Sequence, residues 1–191
     1  MDNTLLMIFG SIFVSNIVLS QFLGICSFLG VSKDIKSSLG MGAAVTFVMV
    51  LASAITWIVY NFALGPLGLT YMSTIAFILT IASLVQIVEM FMKKNMPQMH
   101  KAMGVFLPLI TTNCAILGVA LLNIQKEYTF IYAVLNGVAN AIAYTLAMVL
   151  IAGLRERLAD AEPPEAMKGL PLLLLVASSM AIAFMGFNGI I

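Results

Sequence analysis

From Phe130 to Gly153 the chain reads FIYAVLNGVANAIAYTLAMVLIAG, and no charged side chain interrupts this stretch. A helix needs about 20 consecutive apolar residues to cross the hydrocarbon core of a bilayer. The stretch is long enough, so it predicts a membrane-spanning helix. Its small residues, among them Gly137, Ala139, Ala141 and Ala143, favour close packing against neighbouring helices.

The whole chain has the composition of an integral membrane protein. Of its 191 residues, 62% are hydrophobic and 9% charged, whereas soluble domains contain about 25% charged residues. Five further apolar stretches predict spans at Leu5 to Gly30, Leu39 to Phe62, Leu69 to Glu89, Ala102 to Leu122 and Leu170 to Ile190. We therefore expect a single all-α membrane domain of six transmembrane helices with short connections. The net charge of +1 gives no support for a nucleic-acid partner, and none is predicted.

The basic residues predict how the spans are oriented. Lys and Arg accumulate in short cytoplasmic loops. Eight of the nine lie in the first, third and fifth loops: Lys33, Lys36, Lys93, Lys94, Lys101, Arg155, Arg157 and Lys168. Only Lys126 lies on the other side. Both termini are therefore expected on the outer face.

A short internal repeat predicts the architecture. CSFLGV, beginning at Cys26, recurs as CAILGV, beginning at Cys114, and the same offset lays spans two and three over spans five and six. Three spans in each half is an odd number, so the halves must insert with opposite orientations. We expect two inverted three-helix repeats, 1–95 and 96–191, as in many transport proteins.

Both cysteine segments carry residues that interrupt a helix. Ser20, Gln21 and Gly24 precede Cys26, while Pro108 and a polar run ending at Asn113 precede Cys114. Proline removes a backbone donor, and irregular backbone at membrane depth persists only where protein or a cavity surrounds it. The first and fourth helices are therefore predicted to be interrupted and to lie in the interior.

Cys26 and Cys114 allow two interpretations. A cysteine in an apolar helix is usually a small hydrophobic residue, but these two occupy equivalent positions in the two halves. As ligands they suit an iron–sulfur cluster, copper(I) or zinc. Two sulfurs are half of the usual four-cysteine set, so another chain would have to supply the rest. His100, the only histidine, is expected to be a solvated loop residue.

Glu89 is the acidic residue nearest to a span interior. Intramembrane carboxylates often relay ions. Here Lys93 follows four residues later, at the predicted cytoplasmic end of the span. A surface pair between these two side chains is therefore the favoured interpretation. No catalytic residue is predicted, because nucleotide-binding, metalloprotease and serine-hydrolase motifs are missing from the sequence.

Two longer segments resemble a known family. FLPLITTNCAILGVALLN, from Phe106 to Asn123, is similar to the signature of the A-type subunit of the Rnf electron-transport complex, and FLGICSFLGVSK, from Phe22 to Lys33, is similar to its partner motif. The resemblance extends over essentially the whole chain. The homologous E-type subunit of the sodium-pumping NADH:quinone reductase shares both segments. The Thr-Thr-Asn run ending at Asn113 favours the Rnf family.

The resemblance implies a component of a translocase without a complete active site of its own. Such complexes transfer electrons between ferredoxin and NAD and couple this to sodium or proton translocation. Cys26 and Cys114 match two ligands of a [2Fe–2S] cluster shared with the homologous E-type subunit of the Rnf complex, which has the opposite topology. Hydrogen bonds to sulfur are expected from neighbouring backbone or from Thr112 and Asn113.

The resemblance also implies further partners and a location. The B-, C-, D- and G-type subunits of the Rnf complex would be additional partners, in a bacterial or archaeal cytoplasmic membrane. The residues alone leave open two other functions. One is a redox-inert ion or solute pathway, and the other is a scaffold that anchors soluble partners.

Overall fold

The computed structural model describes residues 8–31, 35–68, 70–95, 107–159 and 169–187, and in these ranges all regular structure is helical, without strands. The main helices are α1 (Ile25–Val31), α2 (Ile35–Val59), α3 (Ser73–Asn95), α4 (Leu107–Thr111), α5 (Cys114–Gln125), α6 (Phe130–Ala159) and α7 (Leu170–Met185). Shorter elements are the π-helices Gly10–Val14 and Tyr60–Leu64, the helical turn Gly65–Leu67 and the 3₁₀-helix Thr70–Met72.

Within the described ranges, four helical segments are long and apolar enough to cross a membrane: Ile35–Leu64, Ser73–Met90, Pro108–Gln125 and Phe130–Leu158. The shorter α7 is also apolar. The predicted all-helical membrane protein is thus confirmed, whereas the number six and the inverted repeats stay predictions. Parts of the sequence interpretation rest on residues outside the described ranges, namely His100, Lys33, Lys101, Lys168 and both chain ends.

Many large apolar side chains lie on the surface of the chain. Phe62 is 80% exposed, Leu79 68% and Ile182 71%. A hydrocarbon environment or another protein chain can accept such side chains, whereas water penalises them. The most apolar window of α6 is 56% buried, against 17% for α3. The small residues of α6 account for this difference, and the predicted burial of Ala139, Ala141 and Ala143 is confirmed.

Contacts divide the chain into two compact units. The first consists of Met1–Ala43 with Ala139–Ile191, and the second of Ala44–Val138. In the first unit, a Cβ atom added to Gly42 on α2 would lie 2.6 Å from Cγ2 of Thr145 on α6. Glycine is therefore needed there for the two helices to approach closely.

The second unit has its own close contact and its own polar links. A Cβ on Gly137 would lie 2.6 Å from Oγ of Ser53, so α2 and α6 approach closely here too. The Asn136 side chain donates to Oδ1 of Asn123 at 2.7 Å and thereby joins α6 to α5. Such an interhelical hydrogen bond satisfies polar side chains within an otherwise apolar segment.

Candidate functional site

The chain that leads to Cys26 is not a continuous helix. The π-helix Gly10–Val14 ends at Ser15, and irregular backbone follows as far as Gly24. Two of its residues have left-handed backbone angles, with φ of +55° at Phe22 and +87° at Gly24. Glycine accepts that conformation without cost, but for phenylalanine it stores strain that the surrounding structure must oppose.

Asn16 holds the start of this irregular segment. Its side chain is 1% exposed. The amide nitrogen donates to the carbonyls of Ile12 at 3.3 Å and Ala143 at 3.1 Å, and Oδ1 accepts from the N–H groups of Val18 at 3.1 Å and Leu19 at 3.4 Å. One buried amide therefore satisfies two backbone donors that the helix break leaves without helical partners.

The end of the same segment is held at Ser27. The Ser27 hydroxyl donates to the carbonyl of Gly24 at 3.0 Å and accepts from the hydroxyl of Tyr144 at 2.6 Å. Ser27 is 1% exposed and Tyr144 is fully buried. Cys26, between Gly24 and Ser27 in the first turn of α1, is exposed on the surface of the chain.

The approach to Cys114 is shorter and is held locally. Helix α4 ends at Thr111, and the hydroxyl of Thr112 donates to the carbonyl of Pro108 at 2.8 Å. Asn113 is extended, with φ of −70° and ψ of 111°, and its side chain accepts from the N–H of Ala115 at 3.0 Å. Asn113 is thus a typical N-cap, and Cys114 is the first residue of α5.

Both predicted ligand residues therefore share one local setting. Each lies in the first turn of a helix that starts directly after an interruption inside an apolar segment. Cys114 is partly exposed, and neither cysteine is in a disulfide. First turns present backbone N–H groups and a partial positive charge, which suits an anionic group bound through sulfur.

The donor set within this chain is half of what a cluster needs. A [2Fe–2S] cluster with cysteine ligands requires four thiolates, and the chain has two cysteines. Across the described residues, no three or more His, Cys, Asp or Glu side chains are grouped so that they could hold a metal ion. The two cysteines could therefore supply at most half of such a ligand set, and another chain would have to supply the rest.

Glu89 lies in a different setting from the one predicted. It is half-buried and lines a cavity of about 30 Å³ in the second unit, together with apolar residues of three helices. Those residues are Ala44, Phe47, Val48, Val85, Val88 and Ile110. Lys93 is exposed, and of the residues described none forms an ion pair with Glu89. The structure thus does not show the predicted surface pair, and Glu89 instead lies beside residues of α2 and α4.

Sequence reasoning missed Ser27 and Tyr144, the residues that support the Cys26 turn. A tyrosine in the middle of a long apolar helix is a usable signal, because a buried phenol nearly always needs a hydrogen-bond partner. Thr112 was expected to donate to sulfur, but its hydroxyl donates to the carbonyl four residues back. This is a common arrangement for threonine in helices.

Comparison with known proteins adds an independent finding. The Rnf-Nqr family, described as "Rnf-Nqr subunit, membrane protein", matches residues 4–191. The A component of a "Na(+)-translocating ferredoxin:NAD(+) oxidoreductase complex" of Acetobacterium woodii is 62% identical over 94% of this chain and 93% of its own length. The A components of an "Ion-translocating oxidoreductase complex" from Syntrophotalea carbinolica and Edwardsiella ictaluri are 52% and 47% identical, each over 100% of this chain and 99% of the relative.

Proposed function

We propose that this chain, which belongs to the Rnf-Nqr family of membrane proteins, is the A-type subunit of an ion-translocating oxidoreductase complex that transfers electrons between ferredoxin and NAD. Identity of 47% to 62% over nearly the full length of relatives with such names is the observation that carries the proposal. The name of the Acetobacterium relative favours sodium over protons as the coupling ion.

Within that complex, Cys26 and Cys114 supply two ligands of a [2Fe–2S] cluster shared with the homologous E-type subunit. Support comes from their matched positions, each in the first helical turn after an interruption. When bound, such a cluster accepts and passes on one electron at a time. The protein residues hold the sulfurs in place, and the surrounding apolar segments exclude water.

The proposal includes six spans arranged as two inverted repeats, 1–95 and 96–191, in the bacterial cytoplasmic membrane. The four long apolar helices, the shorter apolar α7 and the apolar stretch containing Cys26 are the candidates for these spans. Because eight basic residues lie in or beside the first, third and fifth connections between spans, both termini lie outside. Alkaline phosphatase fused to the C-terminus should be active and a fusion after Arg157 inactive; the reverse pattern would overturn this topology.

The test of the ligand assignment uses the purified complex carrying Cys26→Ser or Cys114→Ser. Iron content and the low-temperature EPR spectrum of the reduced complex are compared with those of the wild type. Each substitution should remove one [2Fe–2S] signal and about two irons per complex, because either loss breaks the four-thiolate set. Ile25→Val is the matched control, since it changes the same turn but leaves the sulfur.

The outcome also separates the competing functions. Wild-type iron and spectra in assembled serine variants would reject the ligand assignment and favour a redox-inert ion or solute pathway. A scaffold function predicts instead that substitution of the basic residues Lys93, Lys94 and Arg157 reduces assembly of the complex more than substitution of either cysteine does.

A further inference from the structure

Two consecutive residues of α6 hold both ends of the irregular segment before Cys26. The carbonyl of Ala143 accepts from the Asn16 side chain, and the hydroxyl of Tyr144 donates to Ser27. The first contact joins residues that are 127 positions apart in the sequence, and the second joins residues that are 117 positions apart. The segment is therefore fixed against one turn of α6 within the first unit.

Cys26 depends on this support because its side chain is exposed. The backbone sets the direction of the Cα–Cβ bond, and an exposed side chain is not further oriented by packing on all sides. On one side of Cys26, Gly24 has a positive φ. On the other, Ser27 is bonded to both the Gly24 carbonyl and the Tyr144 hydroxyl.

We propose that Tyr144 is a positioning residue for Cys26, and that it acts through the hydroxyl of Ser27 to fix the direction in which the Cys26 sulfur points. This inference rests on the proposed role of Cys26 as a cluster ligand. Tyr144 would act through the turn and would not itself be a ligand. Its hydroxyl restrains the turn, and the restrained turn fixes the Cα–Cβ bond from which the sulfur projects.

The chain offers variants that isolate this hydroxyl pair. Tyr144→Phe removes only the phenolic oxygen, Ser27→Ala removes its partner, and Ser27→Thr keeps a hydroxyl at the same position. Tyr132→Phe is the matched control, because Tyr132 lies on the same helix but is 42% exposed. All variants are purified as the assembled complex.

The measurement follows the EPR signal that Cys26→Ser removes. Its g values, its linewidth and its rate of loss in the presence of an iron chelator are recorded for each complex. A typical buried hydrogen bond predicts about two- to tenfold faster loss in Tyr144→Phe, with a broader signal. Ser27→Ala should be affected at least as strongly, while Ser27→Thr and Tyr132→Phe should resemble the wild type.

Combining Tyr144→Phe with Ser27→Ala tests whether the two hydroxyls act as one unit. The double variant should lose the signal no faster than Ser27→Ala alone, since both members of the bond are then replaced by apolar groups. If Tyr144→Phe reduces assembly, Ser27→Ala is compared with Ser27→Thr instead, because this pair also tests whether the hydroxyl at Ser27 affects the signal. A residue with a purely structural role would lower the amount of complex and leave the g values and linewidth unchanged.

Failure of this inference differs from failure of the proposed function. If Cys26→Ser removes the signal but Tyr144→Phe and Ser27→Ala leave its shape and its rate of loss at wild-type values, the positioning role is overturned and the ligand role stands. If Cys26→Ser itself leaves the signal in place, the ligand role fails, and with it the positioning role that depends on it.

Discussion

The helix breaks before Cys26 and Cys114 both leave backbone groups without helical partners. The two segments satisfy these groups in different ways. Before Cys114, the break is short, and residues within a few positions of it satisfy the backbone: Thr112 bonds to Pro108, and Asn113 caps α5. Before Cys26, the break extends from Ser15 to Gly24 and is supported by residues of α6 more than a hundred positions away.

This difference shows which kind of helix break is encoded locally. A short break with a proline and an Asn cap carries its own hydrogen-bond partners, so it forms wherever the sequence occurs. A long break with left-handed residues leaves several polar backbone groups without helical partners inside an apolar segment, and only tertiary structure can satisfy them. The two segments should therefore respond differently to substitution.

The largest effect is expected for Asn16→Ala, which removes the support of the long break. The N–H groups of Val18 and Leu19 lose their acceptor, and one buried unsatisfied group costs about 1–3 kcal/mol. We expect local opening of residues 15–24 to become easier by about 3 kcal/mol, measured by hydrogen exchange of that peptide in the complex. Asn61→Ala, at an exposed asparagine, is the control. Unchanged exchange in Asn16→Ala would show that the contacts to α6 are dispensable.

An intermediate effect is expected for Gly24→Ala. The φ of +87° at this position is unfavourable for any residue with a Cβ, at a cost of about 1–2 kcal/mol. Hydrogen exchange should increase in the peptide that contains Cys26 and stay at wild-type rates around Cys114. Gly40→Ala provides the comparison, because Gly40 lies in α2 with nothing within 4 Å of an added Cβ. Equal behaviour of the two alanine variants would contradict the importance of the left-handed turn.

The smallest effect is expected for Asn113→Ala, which removes a local cap. Loss of such a cap costs about 1 kcal/mol, and Asn113→Ser should restore most of it. Exchange of the peptide covering the first turn of α5 reports the change. An effect as large as that of Asn16→Ala would mean that Asn113 also supports distant structure, and the contrast between the two segments would disappear.

The sequence predicts those features whose causes are local. Apolar length predicts the spans around Phe130 and Ile35, small residues predict the burial of α6, and Pro108 with Asn113 predicts the break before Cys114. Gly24 indicated a break before Cys26, but not that irregular backbone would begin as early as Ser15.

The features that the sequence did not predict depend on distant parts of the chain. The pairing of Tyr144 with Ser27 requires α6 to pack beside α1, which no local pattern indicates. The position of Glu89 beside residues of α2 and α4 likewise depends on tertiary packing, which the spacing to Lys93 along one helix does not indicate.

Trp57 is the only tryptophan in the chain, and it belongs to the second unit. Its ring nitrogen donates to the carbonyl of Tyr128 at 2.9 Å, and the ring of Phe130 lies edge-on to it at 5.3 Å. When this chain is studied without other tryptophan-containing proteins, its indole fluorescence comes from one defined place, where the connection between α5 and α6 meets α2. A change in that emission would report on the second unit alone, which makes Trp57 a built-in optical probe of one half of the molecule.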